Sequence, residues 1–101
     1  MQHGQLTLNP TLRCAYLAQQ SLTLTDSEFD VLWMLANQAD DIVSRDDLYQ
    51  HLLGRAFDGL DRAIDNKIMN IRKKVHDNTG HHKRIITVRG KGYLFVSHAW
   101  A

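Results

Sequence analysis

The stretch that decides the fold lies in the last two fifths of the chain. It reads DRAIDNKIMNIRKKV over residues 61–75 and, after a polar connection, RIITVRGKGYLFV over residues 84–96. Apolar residues recur in the first segment at intervals of four, three and four, which is the spacing of one buried helix face. They are Ile64, Ile68, Ile71 and Val75. The segment predicts an amphipathic helix over about residues 61–77, with Asp61 as its N-cap.

The second segment predicts a β-hairpin over residues 84–97. Two runs of β-branched and aromatic residues flank the turn formed by residues 89–92 (RGKG). Glycine permits positive φ and removes side-chain bulk where the backbone approaches another surface. A plain turn would account for Gly90 and Gly92 but not for the cations Arg89 and Lys91, so the hairpin tip is a candidate for binding a polyanion.

Two shorter helices are predicted upstream. Residues 25–28 (TDSE) fit a capping box, so a helix is expected to begin at Thr25. Residues 44–47 (SRDD) predict a second helix start after a short polar turn, and Gly54 is expected to end that helix. We therefore assign residues 25–80 to a three-helix unit.

Residues 1–24 show short apolar and polar alternation, which is typical of strands. We expect three short antiparallel strands, at residues 6–8, 12–17 and 22–24. The predicted order is strands, three helices and a closing hairpin. This order defines one α+β domain over residues 1–101, a winged helix-turn-helix with an N-terminal antiparallel sheet and a C-terminal β-hairpin wing.

The charge distribution is strongly asymmetric although the formal net charge is only +1. Residues 1–61 carry three Lys or Arg and nine Asp or Glu, a net charge of −6, whereas residues 62–101 carry nine and two, a net charge of +7. A concentrated basic surface attracts polyanions and releases their counterions. The basic part of the chain is therefore the candidate binding surface.

Several classes of function are excluded by composition. Cys14 is the single cysteine, so an internal disulfide is impossible, and no apolar run approaches the roughly 20 residues that span a membrane. We expect a soluble, cytoplasmic domain without a membrane partner. No converging acid, base and nucleophile signature is present, so we expect no enzyme. His76, His81 and His82 lack the cysteines or carboxylates of a typical metal site, so we expect neither a metal nor another cofactor.

The helix face opposite the apolar stripe is polar and basic. A helix of this diameter fits the major groove of DNA, where asparagine can pair with adenine and lysine can reach guanine or phosphate. We predict Asn66 and Asn70 as base readers. The other residues assigned to this face or its edges are Arg62, Ala63, Lys67, Lys73 and Lys74. Arg72 lies on the flank near Asp65, as an intrahelical ion-pair partner or a phosphate contact.

The hairpin supplies a second set of candidate contacts. An arginine at such a tip can enter a narrow A·T-rich minor groove, and we assign this contact to Arg89. Lys91 and the backbone amides are expected to meet phosphates. Tyr93 either packs in the core or donates its hydroxyl to a phosphate.

Four spaced blocks of the sequence resemble one known family. Residues 24–32, 61–68, 71–75 and 87–95 resemble the carboxy-terminal effector domain of OmpR/PhoB-type response regulators, the most specific block being TVRGKGY at residues 87–93. The resemblance implies a transcription factor of a two-component phosphorelay, with a receiver domain in the full-length protein and dimers on tandem half-sites of double-stranded DNA. It assigns Arg62 to a phosphate, Lys67 and Asn70 to the major groove, and Thr87 and Arg89 to wing contacts.

The resemblance also implies a contact of the loop at residues 54–60 with RNA polymerase, which some members of the family make. Phe57 is then the exposed apolar candidate, unless it packs beneath the loop. Many members carry histidine or arginine where Lys67 and Asn70 stand, so the docking mode transfers to this chain better than the preferred bases. The alternative function is a winged-helix protein-interaction module without specific DNA binding, which would respond weakly to salt.

Overall fold

The computed structural model describes residues 1–77 and 81–101. Its elements follow the order β1 (Gln2–His3), β2 (Leu6–Asn9), β3 (Cys14–Leu17), β4 (Gln20–Leu22), α1 (Asp26–Asn37), β5 (Ile42–Ser44), α2 (Arg45–Leu53), α3 (Ala63–Lys74), β6 (Ile85–Val88), β7 (Gly92–Phe95) and a 3-10 helix (Ser97–Trp100). The first four strands form an antiparallel sheet in sequence order, and β5, β7 and β6 form a second antiparallel sheet. The predicted α+β winged-helix fold is confirmed.

The N-terminal sheet has four strands where three were predicted. Leu12 was assigned to a strand, yet it is 72% exposed in a turn where the Asn9 side chain accepts hydrogen bonds from the amides of Thr11 and Leu12. The last strand begins at Gln20, two residues earlier than predicted, because Ala18 and Gln19 both adopt positive φ and form a tight turn. Apolar alternation alone did not reveal these turns.

Local capping signals placed the first two helices correctly. Thr25 accepts a hydrogen bond from the Glu28 amide, and the Glu28 side chain accepts one from the Thr25 amide, which completes the capping box. Ser44 caps α2 through the Asp47 amide, and Gly54 is the C-cap. The predicted polar turn between these helices instead contains β5, a strand that depends on pairing with β7, about fifty residues further along the chain.

Helix α3 is shorter than the predicted 61–77. It begins at Ala63 with Arg62, and not the predicted Asp61, as its N-cap; the Asp61 carboxylate accepts a hydrogen bond from the Ala63 amide at 2.8 Å. The helix ends at Lys74, and His76 adopts a φ of 60°, which α-helix geometry does not allow. Residues 78–80 of the predicted three-helix unit lie outside the described residues.

The core forms where the three helices meet the second sheet. The predicted stripe of α3 is fully buried, and it packs with residues of α1 and α2 and with strand β7. Phe95 of β7 stacks on Trp100, with ring centroids 4.9 Å apart. This stacking joins strand β7 of the wing to the C-terminal 3-10 helix. No helix in the described part of the chain is long and apolar enough to cross a membrane.

Candidate nucleic-acid interface

The outer face of α3 is the first candidate surface. Arg62, Asn66, Asn70 and Lys73 are exposed, while Ala63 and Lys67 are partly buried beside them. Met69, which sequence reasoning did not single out, is 48% exposed next to Asn70. The helix therefore presents two amides and several cations on one accessible side, with an apolar side chain among them.

Lys74 does not belong to this outer face, contrary to the prediction. Its ammonium lies 2.6 Å from the carboxylate of Glu28, near the start of α1, and the Glu28 side chain is only 5% exposed. Burial alone would raise the pKa of Glu28, but hydrogen bonds from Lys74 and the Thr25 amide, with a smaller one from Asn70, leave it lowered. Lys74 is a structural partner of a buried carboxylate, and this pairing with α1 could not be deduced from helical spacing.

Replacing Lys74 with methionine is expected to destabilise the fold by about 1–2 kcal/mol, because it leaves the Glu28 carboxylate buried without its cation. Lys73→Met is the matched control, since Lys73 is the exposed neighbour on the same helix. We expect that control to lower DNA affinity and to change stability by no more than about 0.5 kcal/mol. Urea unfolding and a DNA titration of both variants measure this, and equal stability losses would contradict the assignment.

Arg72 is turned toward the wing and away from the outer face. It is only 7% exposed, and its guanidinium donates hydrogen bonds to the Ile85 carbonyl at 2.7 and 3.0 Å. It also donates to the Thr87 hydroxyl at 2.8 Å. Neither alternative from the sequence, an ion pair within α3 or a phosphate contact, describes this arrangement. Arg72 ties α3 to strand β6.

Tyr93 is buried, and its hydroxyl faces α3. Its predicted contact with a phosphate is therefore not supported. Its hydroxyl donates a hydrogen bond to Asp65 and accepts one from Arg45 at 3.3 Å. Burial, together with the hydrogen bond to Asp65, raises the pKa of Tyr93 from 10.0 to about 12. Burial also acts to raise the pKa of Asp65, but the hydrogen bonds from Tyr93 and Arg45 outweigh it and lower that pKa.

The raised pKa of Tyr93 predicts a loss of stability at alkaline pH. A group whose pKa is higher in the folded state than in the unfolded state contributes its full stabilisation below the unfolded pKa, which is 10.0 for Tyr93. This contribution to stability is lost as the pH rises toward about 12. Free energies of unfolding of the wild type and of Tyr93→Phe, measured by urea titration from pH 9 to 12, should therefore converge. A constant difference across this range would contradict the raised pKa.

The wing turn contains two exposed cationic side chains. Arg89, Gly90 and Lys91 are exposed at the tip, and the Lys91 amide closes the turn on the Val88 carbonyl at 2.9 Å. Thr87 is exposed at the side of the wing that Arg72 contacts. Since Arg72 and Tyr93 hydrogen-bond this hairpin to α3, the wing lies beside the helix.

The loop at residues 54–60 has a different exposed apolar residue from the one predicted. Phe57 is partly buried and packs on Tyr49, with ring centroids 4.9 Å apart, as the alternative for this residue anticipated. Leu60 is 84% exposed, because the Asp58 carboxylate accepts hydrogen bonds from the amides of Leu60 and Asp61 and turns the chain outward. Leu60 is the apolar side chain that this loop offers to a partner.

The described histidines, Cys14 and carboxylates are dispersed over the fold. Within residues 1–77 and 81–101, no three of these side chains come together in a group that could hold a metal ion.

These features define a winged helix-turn-helix domain with a basic helix and a basic wing. Residues 19–95 match the family model described as transcriptional regulatory protein, C terminal, and the chain belongs to this family. The resemblance to OmpR/PhoB-type effector domains is therefore confirmed, and so is the expectation of a non-enzymatic domain.

Similar curated relatives include transcriptional regulatory proteins of Escherichia coli. The chain is 46% identical to RstA of Escherichia coli over 96% of its own length and 41% of that protein, and 44% identical to CpxR of the same species over 91% and 40%. It thus spans about two fifths of the relatives it matches.

Solved structures agree with this assignment. The DNA-binding domain of Klebsiella pneumoniae RstA, in complex with the RstA box, has a TM-score of 0.92 at 43% identity, and the alignment covers 97% of each chain. The DNA-binding domain of Escherichia coli CpxR has a TM-score of 0.87 at 40% identity, over 98% of this chain and 97% of that one.

Proposed function

We propose that this chain binds double-stranded DNA in a sequence-specific manner, as the output domain of a two-component transcriptional regulator. Helix α3 enters the major groove, and the wing places Arg89 in the adjacent minor groove. The observation that carries the proposal is an exposed polar face on α3 in a domain whose wing, with exposed cations at its tip, is hydrogen-bonded to that helix. The solved complex of the similar Klebsiella RstA domain with its DNA supports it.

The proposed contacts are divided by chemistry. Asn66 and Asn70 carry exposed amides, which read base edges, and Lys67 lies between them. Phosphates and the sugar backbone are contacted by the remaining exposed groups, which position the protein without reading sequence. These groups are Arg62, Lys73, Thr87 and Lys91, together with the partly buried Ala63 on the same face. Arg72, Lys74 and Tyr93 are left out, because each is engaged inside the fold.

The proposal also covers the regulation and the partners of the whole protein. A receiver domain outside this chain, phosphorylated by a cognate kinase, would control pairing of two copies on tandem half-sites. The loop at residues 54–60 would contact RNA polymerase, with the 84%-exposed Leu60 as its apolar contact. A regulator that acts on chromosomal DNA in a bacterium works in the cytoplasm, and we place the protein there.

Lys91→Ala tests the phosphate role of the wing. Because Lys91 meets phosphates and not bases, its loss should weaken binding to specific and random duplexes alike and lower the salt slope, d log K/d log [salt], by about one. Lys83→Ala is the control, since Lys83 is an exposed lysine at the opposite end of the wing sheet. Fluorescence anisotropy at several salt concentrations measures both slopes. An unchanged slope in the Lys91 variant would remove this residue from the interface.

A further inference from the structure

A polar seam, buried at Arg72 and Tyr93, joins α3 to the wing. It consists of Arg45, Asp65, Arg72, Thr87 and Tyr93. Asp65 and Arg72 are seven residues apart on α3, so they lie two turns apart on one side of the helix. Asp65 reaches β7 through Tyr93, and Arg72 reaches β6 through Ile85 and Thr87. Both wing strands are thus hydrogen-bonded to the helix that is proposed to read the major groove.

Near Asp65, the seam also includes a residue of α2. Arg45, the first residue of α2, donates to the Asp65 carboxylate at 2.9 Å and lies over the Tyr93 ring at 4.8 Å from its centroid. Arg72 lies over the same ring at 5.8 Å. The ring and hydroxyl of Tyr93 are therefore held by three partners from two helices, and β7 has little freedom to slide along α3.

Near Arg72, the seam orients the Thr87 hydroxyl. Because the guanidinium of Arg72 has only donors, Oγ1 of Thr87 must accept the hydrogen bond between them. The hydroxyl proton of Thr87 is then free to donate to another group. Thr87 is exposed, so an oxygen acceptor arriving from solvent, such as a phosphate, can receive it.

We propose that this polar seam fixes the spacing between α3 and the wing, and so couples base contacts in the major groove to the Arg89 contact in the minor groove. The inference rests on the proposed DNA-binding function. Hydrogen bonds are directional, so a satisfied, largely water-shielded network specifies one arrangement where apolar contacts would permit several. Tyr93, Asp65 and Arg72 act here as positioning residues for Arg89.

A double-mutant cycle tests the coupling. Arg89→Ala is combined with Tyr93→Phe, which removes the hydroxyl and keeps the ring. Tyr49→Phe is the matched control, because the Tyr49 hydroxyl is also buried but donates to the Asp61 carbonyl at 2.9 Å, away from the wing. DNA affinity is measured for each single and double variant at one salt concentration, and thermal melts establish that each variant is folded.

The expected result is a loss of coupling in the Tyr93 variant alone. Arg89→Ala should weaken binding about tenfold in the wild type and in Tyr49→Phe, but only about twofold to threefold in Tyr93→Phe. Arg72→Lys should behave like Tyr93→Phe, since lysine keeps the charge without the forked donors. Equal penalties in all backgrounds would overturn the coupling alone. A wild type that binds no duplex would overturn the proposed function and the coupling with it.

Discussion

Gly92→Ala should destabilise the protein by about 3–5 kcal/mol, which is a large fraction of the stability of an ordinary domain. A Cβ at this position would lie 2.1 Å from the Val43 carbonyl oxygen and 2.8 Å from the Ser44 Cα. The neighbours are backbone atoms of β5, which pairs with β7 at this residue, so they cannot move without breaking the sheet. The φ of 152° adds strain for any L side chain.

Gly90→Ala is the matched control for this prediction. Gly90 has a φ of 75°, yet a Cβ there would have no heavy atom within 4 Å. Only backbone strain remains, and we expect a loss of about 1–2 kcal/mol. Urea unfolding of the two variants separates close packing from conformational strain. If both variants lost the same stability, the tight contact between β5 and β7 would be contradicted.

Asn70→Ala is expected to cost about 1–3 kcal/mol of binding free energy on the best DNA site and to relax the preference at one or two base pairs. The amide is exposed on the outer face of α3, where it can pair with an adenine edge. Random DNA offers no matched base, so affinity for it should barely change. Competition between a selected duplex and random duplexes, titrated with each variant, measures the difference.

Two controls accompany the Asn70 variant. Asn37→Ala removes an exposed asparagine from the end of α1 and should leave both affinities unchanged. A thermal melt is needed because Asn70 also contributes slightly to the hydrogen bonding of Glu28. Equal losses on specific and random DNA, in a folded variant, would refute base recognition by Asn70.

The parts of the fold that follow from neighbouring residues were predictable. The capping box at Thr25 and Glu28 spans three residues, and the isoleucine stripe of α3 needs only helical periodicity. The wing turn was equally clear, because glycines and β-branched runs lie within a dozen residues of sequence. These signals sufficed for the fold class and for the exposed positions of Asn66, Asn70, Arg89 and Lys91.

The remaining features depend on partners far apart in the chain. Lys74 and Glu28 are 46 residues apart, and Arg45 and the Tyr93 hydroxyl are 48 apart. Each of these four residues is of a polar type that commonly lies on the protein surface. Helical spacing alone therefore assigned Lys74 to the wrong face. Strand β5 was missed for the same reason, since three residues form a strand only because β7 lies beside them.

Selection from a random-sequence duplex library, followed by a salt titration of the selected duplex, tests sequence-specific DNA binding most directly. The account predicts enrichment of a repeated half-site, with about one helical turn between repeats, and a steep decrease of affinity with salt. Absence of enrichment together with an affinity that salt does not change would contradict it, and would favour a winged helix that binds another protein.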